Sequence, residues 1–133
     1  MDNEKLIELA IEAREFAFPE LSGFKVGAAL LTKCGKVYKG CNIEDPSGIG
    51  VTNICAERCA VVKAISEGYR DFAKIAVVGG KEELIFCLPC GACRQYLNSF
   101  NPGIAVVSFN PEDNEIKEFR LSNLLPYSFN EKF

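Results

Sequence analysis

A three-layer α/β domain is what this chain predicts, on three observations. A β-branched apolar run over Phe72–Gly80, an apolar-periodic segment over 90–100 and a second buried run over 104–109 follow one another as strand, helix and strand. That order implies a right-handed parallel crossover. A hairpin pattern lies upstream at 24–39, and a helical pattern flanks it on either side. With 133 residues, 48% of them apolar and 25% charged, the chain is long enough to bury a core without disulfide staples. No internal repeat, low-complexity tract or linker interrupts it, so one domain over 1–133 is expected.

Taken in order, Leu6, Leu9, Ala10, Ala13, Phe16 and Ala17 recur at helical spacing between polar residues. Asp2 or Asn3 therefore caps a first amphipathic helix that ends before Pro19. Residues 24–32 read as a mostly buried strand, 33–36 with Gly35 as a turn, and 37–39 as the returning strand. Gly27 inside the first strand predicts that something approaches its backbone closely. Residues 40–53 hold Gly40, Pro46, Gly48 and Gly50 among polar side chains and form a long loop, a kind of segment that is often functional. A helix over 55–67 follows, apolar on most sides and stopped by Gly68, as burial against a sheet requires. After Phe72–Gly80 a loop leads to Pro89 and the helix over 90–100, which Asn101-Pro102-Gly103 ends. Residues 115–120, past a turn at 111–114, read as an edge strand, and 121–125 as a short helix before Pro126.

Composition excludes several classes of function. No tract approaches the ~18 apolar residues of a membrane span, and the acidic start over 1–8 is unlike a secretory signal. A cytoplasmic location with no membrane partner is expected. The seven cysteines, at 34, 41, 55, 59, 87, 90 and 93, are an odd number, which argues against a disulfide framework and leaves metal binding or packing. A net charge of −3 disfavours a nucleic-acid partner, which would call for a basic patch.

Residues 89–95, Pro-Cys-Gly-Ala-Cys-Arg-Gln, are more than a packed core requires. Cys90 and Cys93 fall at the head of a helix, where unpaired N–H groups and the positive dipole end favour thiolates. Cys55 opens the earlier helix with the same local logic and supplies a third sulfur, with Glu57 two residues on. Three thiolates and a carboxylate describe a zinc ion with one open coordination position and a base beside it, the layout of a catalytic rather than a closed structural site. Zinc-dependent deaminases pair P-C-x-x-C with a His or Cys ligand upstream, and with no histidine in the chain only the all-sulfur form is open to it. Arg58 fits as a cation donating hydrogen bonds to sulfur, because three thiolates exceed the charge of Zn²⁺ by one.

Rival readings exist for each feature. The cysteines could be buried packing, although helix starts joined to Pro and Gly suit core filling poorly. Cys59, one turn after Cys55, could close a four-sulfur structural site in a zinc-stabilised interaction module, but it sits deeper in the helix among apolar residues and reads as core. Cys87, Cys90 and Cys93 open a C-x2-C-x2-C iron–sulfur run, yet the fourth cysteine is missing and Leu97 stands in its region. Glu57 could merely complement the helix dipole, Arg58 could be a surface charge, and Asn42 and Glu44 could be plain loop polars. The alternation of Asn42 and Glu44 about Ile43 points both side chains one way, as recognition of sugar hydroxyls requires. Cys34 and Cys41 read as structural or incidental.

Nearly end to end, the chain resembles the small homotetrameric cytidine deaminases. The shared stretches are 24–30 (Phe-Lys-Val-Gly-Ala-Ala-Leu), 40–44 (Gly-Cys-Asn-Ile-Glu), 55–58 (Cys-Ala-Glu-Arg), 89–95 and 124–129 (Leu-Leu-Pro-Tyr-Ser-Phe). The resemblance implies a mixed five-stranded sheet covered by helices, one zinc per chain, and a homotetramer with active sites at subunit contacts. It implies hydrolytic deamination of cytidine and deoxycytidine to the uridine nucleoside and ammonia, as in pyrimidine salvage. By position, Cys55, Cys90 and Cys93 match the zinc ligands, Glu57 the proton shuttle and Arg58 the arginine that hydrogen-bonds the ligand sulfurs. Asn42 and Glu44 match the pair on the ribose hydroxyls, and Phe24 an aromatic beside the nucleoside. The Ala56 N–H matches the group on the pyrimidine O2, and Phe129 the aromatic reaching a neighbouring subunit's base. The loop over 45–54 departs from the family pattern: it is two residues longer than usual and lacks the family's tyrosine. A modified cytidine or a blasticidin-like nucleoside is the corresponding alternative substrate.

Overall fold

The computed structural model describes residues 1–131. Helix α1 spans Asn3–Arg14, and its cap is Asp2, whose carboxylate accepts from the Lys5 N–H at 2.8 Å. The helix stops a turn earlier than the apolar spacing predicts. The N–H groups of Glu15, Phe16 and Ala17 bond the carbonyls three residues back, which tightens the chain out of α-helical register. Phe16, expected on the buried face, is consequently 80% exposed, while Leu6, Ile7, Ala10 and Ala13 form the packed stripe.

Strand β1 covers Lys25–Thr32 and β2 covers Val37–Cys41, two residues beyond the sequence expectation. Gly40 and Cys41 pair with Ala28 and Gly27 rather than opening the loop. Gly40 is a packing glycine: a β-carbon there would collide with the Ala56 carbonyl and come within 2.5 Å of the Ala60 nitrogen on the helix crossing above it. Gly27 has the same role on the opposite face, as its position in the strand predicts. A β-carbon at 27 would run into the Ala10 carbonyl and reach 2.5 Å from the Arg14 nitrogen. Gly27→Ala should therefore push α1 off the sheet and destabilise the fold by about 3 kcal/mol. Urea denaturation checks this, and an unchanged midpoint would contradict such close packing.

Beyond β2, the loop carries its own framework. Ile43 bridges to both Phe18 and Ile54. The Asp45 carboxylate accepts from the Ser47 N–H at 2.8 Å and from the Thr52 hydroxyl, while Asn53 Oδ1 takes the Asp45 N–H at 2.6 Å. A 3-10 turn at Gly50–Thr52 completes it and leaves Ile49 and Val51 exposed.

Helix α2 is Ala56–Ser66, β3 is Phe72–Gly80, α3 is Gly91–Phe100, β4 is Ala105–Asn110, β5 is Glu115–Arg120 and α4 is Leu121–Leu124. The sheet order is β2-β1-β3-β4-β5. Strands β3 and β4 are parallel and every other pairing is antiparallel, so the sheet is mixed and β5 is an edge, as expected. Period-two alternation splits the core between the two faces. Ala28, Leu30, Ile75, Val77 and Val106 pack with Ala60, Val61 and Leu97 of α2 and α3, while Ala29, Ala76, Val78 and Val107 pack with Leu6, Ile7 and Ala10 of α1. These are the three layers. Among the described residues, no helix is long and apolar enough to cross a membrane.

Candidate active site

Two helix N-termini on the same face of the sheet build the site. Cys55 is the N-cap of α2 and Cys90 the N-cap of α3; neither makes a side-chain capping bond. Cys93 lies in the first turn of α3, fully buried. The three sulfurs lie within 4.8 Å of one another, with Cys55 and Cys90 3.8 Å apart, and among the described residues they form the one such group of potential ligands. Cys59 is buried outside the group and Cys87 also lies apart from it, so neither a four-sulfur nor a C-x2-C-x2-C cluster is assembled. Arg94 fixes the turn that delivers Cys90. Its Nε donates to the Pro89 carbonyl and its Nη1 to the Leu124 carbonyl, both at 2.8 Å. The sequence marked Arg94 by its place in the motif, without indicating this bracing role.

The donor set fits zinc. Three soft sulfurs converge on one point, and a cation stands beside them. Arg58 Nη2 donates to Cys55 Sγ at 3.5 Å, and its buried Nε has no partner among the described residues. A hydrogen bond from Cys93, reinforced by Arg58 and Cys90, lowers the Cys55 thiol to about 5. Cys93 moves the opposite way, pushed up by its hydrogen bond to Cys55 and by burial. The contact with Cys55 also raises Arg58 further, keeping it cationic.

Glu57 is 4% exposed at the start of α2. Burial is the main reason its carboxyl is raised to about 7, and the Cys55 charge adds to the rise. Beside it opens a cavity of about 300 Å³. Its walls bring together Phe24, Asn42, Glu44, Cys55, Ala56, Glu57 and Cys90 of the predicted residues, and add Val26, Asn53, Ile54, Cys87 and Leu88. Of these additions, Val26 lies within the 24–30 stretch, Ile54 and Leu88 adjoin the cysteine motifs, and Cys87 opens the C-x2-C-x2-C run.

Asn42 and Glu44 are held before any ligand arrives. Asn42 accepts the Val26 N–H and donates to the Phe24 carbonyl, both at 2.8 Å. Glu44 accepts from the N–H groups of Leu21 and Ser22 at 2.8 and 2.9 Å and from the Ser22 hydroxyl at 2.6 Å. The Ser22 contacts hold its carboxyl below the usual range, so it remains an anionic acceptor. Phe129 lies apart from this cavity and is 60% exposed, its carbonyl taking the Gln95 side-chain N–H at 2.9 Å.

The family model described as the cytidine and deoxycytidylate deaminase zinc-binding region matches residues 1–109. The cytidine deaminase of Halalkalibacterium halodurans is 47% identical over 129 residues, which cover 97% of this chain and 95% of that protein. The cytidine deaminase of Sporosarcina psychrophila is 45% identical over 132 residues, covering 99% and 94%. Among solved structures, the cytidine deaminase of Burkholderia pseudomallei superposes with a TM-score of 0.87 at 42% identity, over 97% of this chain and all of that one. The enzyme of Mycobacterium tuberculosis gives 0.81 at 32% identity, over 98% and 99%. Sulfur cluster, fold and both motifs agree with these likenesses: the chain belongs to the cytidine and deoxycytidylate deaminase family.

Proposed function

We propose that this protein hydrolyses cytidine, and deoxycytidine, to the uridine nucleoside and ammonia. One observation carries the reading: three sulfurs converge beside a buried carboxylate, and two of them, Cys55 and Cys90, stand with Glu57 at the wall of a cavity sized for a small molecule. Cys55, Cys90 and Cys93 would hold one zinc per chain, with Arg58 offsetting the surplus thiolate charge. When bound, zinc supplies a Lewis acid that brings the pKa of a coordinated water toward ~7.

The chain's own residues do the rest. Glu57 moves both protons of the water: it takes the first from the attacking water and gives it to ring N3, so that C4 becomes electrophilic, then takes the second from the new C4 hydroxyl and gives it to the C4 amine as it leaves. Water's oxygen ends on C4 and ammonia departs, which balances the reaction. The Ala56 N–H, one of the donors left free at a helix start, donates to the pyrimidine O2. Asn42 and Glu44 hold the ribose hydroxyls. Glu44 is suited to this because a carboxylate with about four acceptor sites keeps capacity beyond its bonds to Leu21 and Ser22. Phe24 flanks the base, and Phe129 reaches a neighbouring subunit of a homotetramer.

Following cytidine absorbance and ammonia release with zinc-loaded protein, and deoxycytidine in parallel, tests the reading. Equal loss of cytidine and gain of ammonia is expected. Turnover of neither nucleoside by protein carrying one zinc per chain would sink it and make the 45–54 loop the place to seek another aminopyrimidine specificity.

A further inference from the structure

Along β3, the side chains facing α2 and α3 form one row. Ile75 and Val77 fill the core on that face, and the next member of the row, Gly79, has no side chain. A β-carbon at position 79 would stand 2.8 Å from Cys87 Sγ, 3.1 Å from Phe24 Cε1 and 3.2 Å from Val26 Cγ2. All three of those side chains line the cavity, whereas Gly79 itself does not. They reach it from two directions. Val26 is the cross-strand partner of Gly79, with Phe24 just before β1, and Cys87 arrives on the segment anchored by the Ile85 N–H to the Gly79 carbonyl at 2.8 Å.

Conformation does not demand glycine here. The positive-φ glycines are Gly23, Gly35, Gly48 and Gly68. What the missing side chain provides is space.

We infer that Gly79 is a positioning residue for the substrate pocket: its bare Cα lets Phe24, Val26 and Cys87 settle against β3, and so sets the width of the wall on which the nucleoside rests. The inference rests on the nucleoside reading above. A methyl group at 79 forces the Cys87 sulfur to shift and presses Phe24 and Val26 away by a few tenths of an ångström, and all three side chains line the cavity. The sulfurs and Glu57 stand at the starts of α2 and α3 rather than on β3. The displaced wall meets the substrate body equally in the ground and transition states, so binding is lost uniformly and KM rises while kcat holds.

The test uses the zinc-loaded full chain as wild type, Gly79→Ala, Cys87→Ala and the double variant. Readouts are KM and kcat for cytidine, zinc content, and the rate at which iodoacetamide alkylates Cys87, located by peptide mass spectrometry. Gly79→Ala should raise KM about tenfold with kcat within about threefold, at unchanged zinc. Removing the nearest atom should rescue it, bringing KM of the double variant within about threefold of Cys87→Ala alone. Cys87 should react several times faster in Gly79→Ala, because its thiol is forced outward. An unchanged KM, a fall in kcat at constant KM, or a double variant without rescue overturns the inference. Should Gly79→Ala fail to fold, recovery of folded protein on adding Cys87→Ala supports it, and no recovery overturns it. A wild type inert toward cytidine defeats the nucleoside reading alone; the Cys87 alkylation rate then decides, and equal rates in wild type and Gly79→Ala overturn the role of Gly79.

Discussion

Glu57→Gln will lower turnover of cytidine by about 10⁴-fold, near the top of the range for a positioned acid-base group, because in the proposed mechanism one carboxylate serves every proton transfer. The substitution keeps size and shape in a site that is 4% exposed, and it replaces a carboxyl already resisting ionisation with a neutral amide. No new charge is buried, so folding should be preserved. The amide cannot relay a proton, and water attack at C4 is left without a base. Zinc content should stay at about one per chain, because the three sulfurs are untouched. Steady-state kinetics and metal analysis on one sample check both halves. Near-wild-type turnover would remove Glu57 from the mechanism; parallel loss of metal would make it a structural residue instead.

Cys90→Ala should remove the metal and the activity together. Cys90 is exposed and makes no capping bond as N-cap of α3, so its thiol contributes little to packing. Its loss leaves two sulfurs where a tetrahedral ion needs three protein ligands and a water, and metal content after gel filtration should fall from about one per chain to below a tenth. Cys59→Ala is the contrast. That side chain is buried but outside the sulfur group, so the variant should keep its zinc and lose only about 1 kcal/mol of stability. Full zinc retention by Cys90→Ala, or zinc loss by Cys59→Ala, would reassign the ligands.

Much of the fold was legible because the signals are local. Phe72–Gly80 and Glu115–Arg120 fall where their alternation and apolar character place them, and the turn at Gly35 and stop at Gly68 coincide with positive φ angles. The misses share a cause. Phe16 continues the helical spacing of α1, but the chain leaves α-helical register just before it, so sequence periodicity points it into a core that it never enters. Gly40 reads as loop chemistry until α2 is seen crossing within contact of it. In the site, residues within or next to the motifs could be anticipated, Val26 among them, whereas the place of Cys87 in the pocket wall rather than in a metal cluster could not.

By itself, the sequence determined which groups the site can offer a metal: sulfur and no imidazole, since no histidine exists, with a carboxylate two residues after Cys55 and an arginine beside it. Residue identity and spacing suffice for that, because a helix start fixes the local directions of its first-turn side chains. Only the tertiary structure decided that sulfurs 35 residues apart in the chain stand 3.8 Å apart, that Cys59 and Cys87 are left out, and that Asn42 and Glu44 are locked by backbone partners. It also decided that the pocket wall rests on the missing side chain of Gly79. Those facts depend on which backbones approach one another across the sheet, and contacts between distant segments leave no period in the sequence.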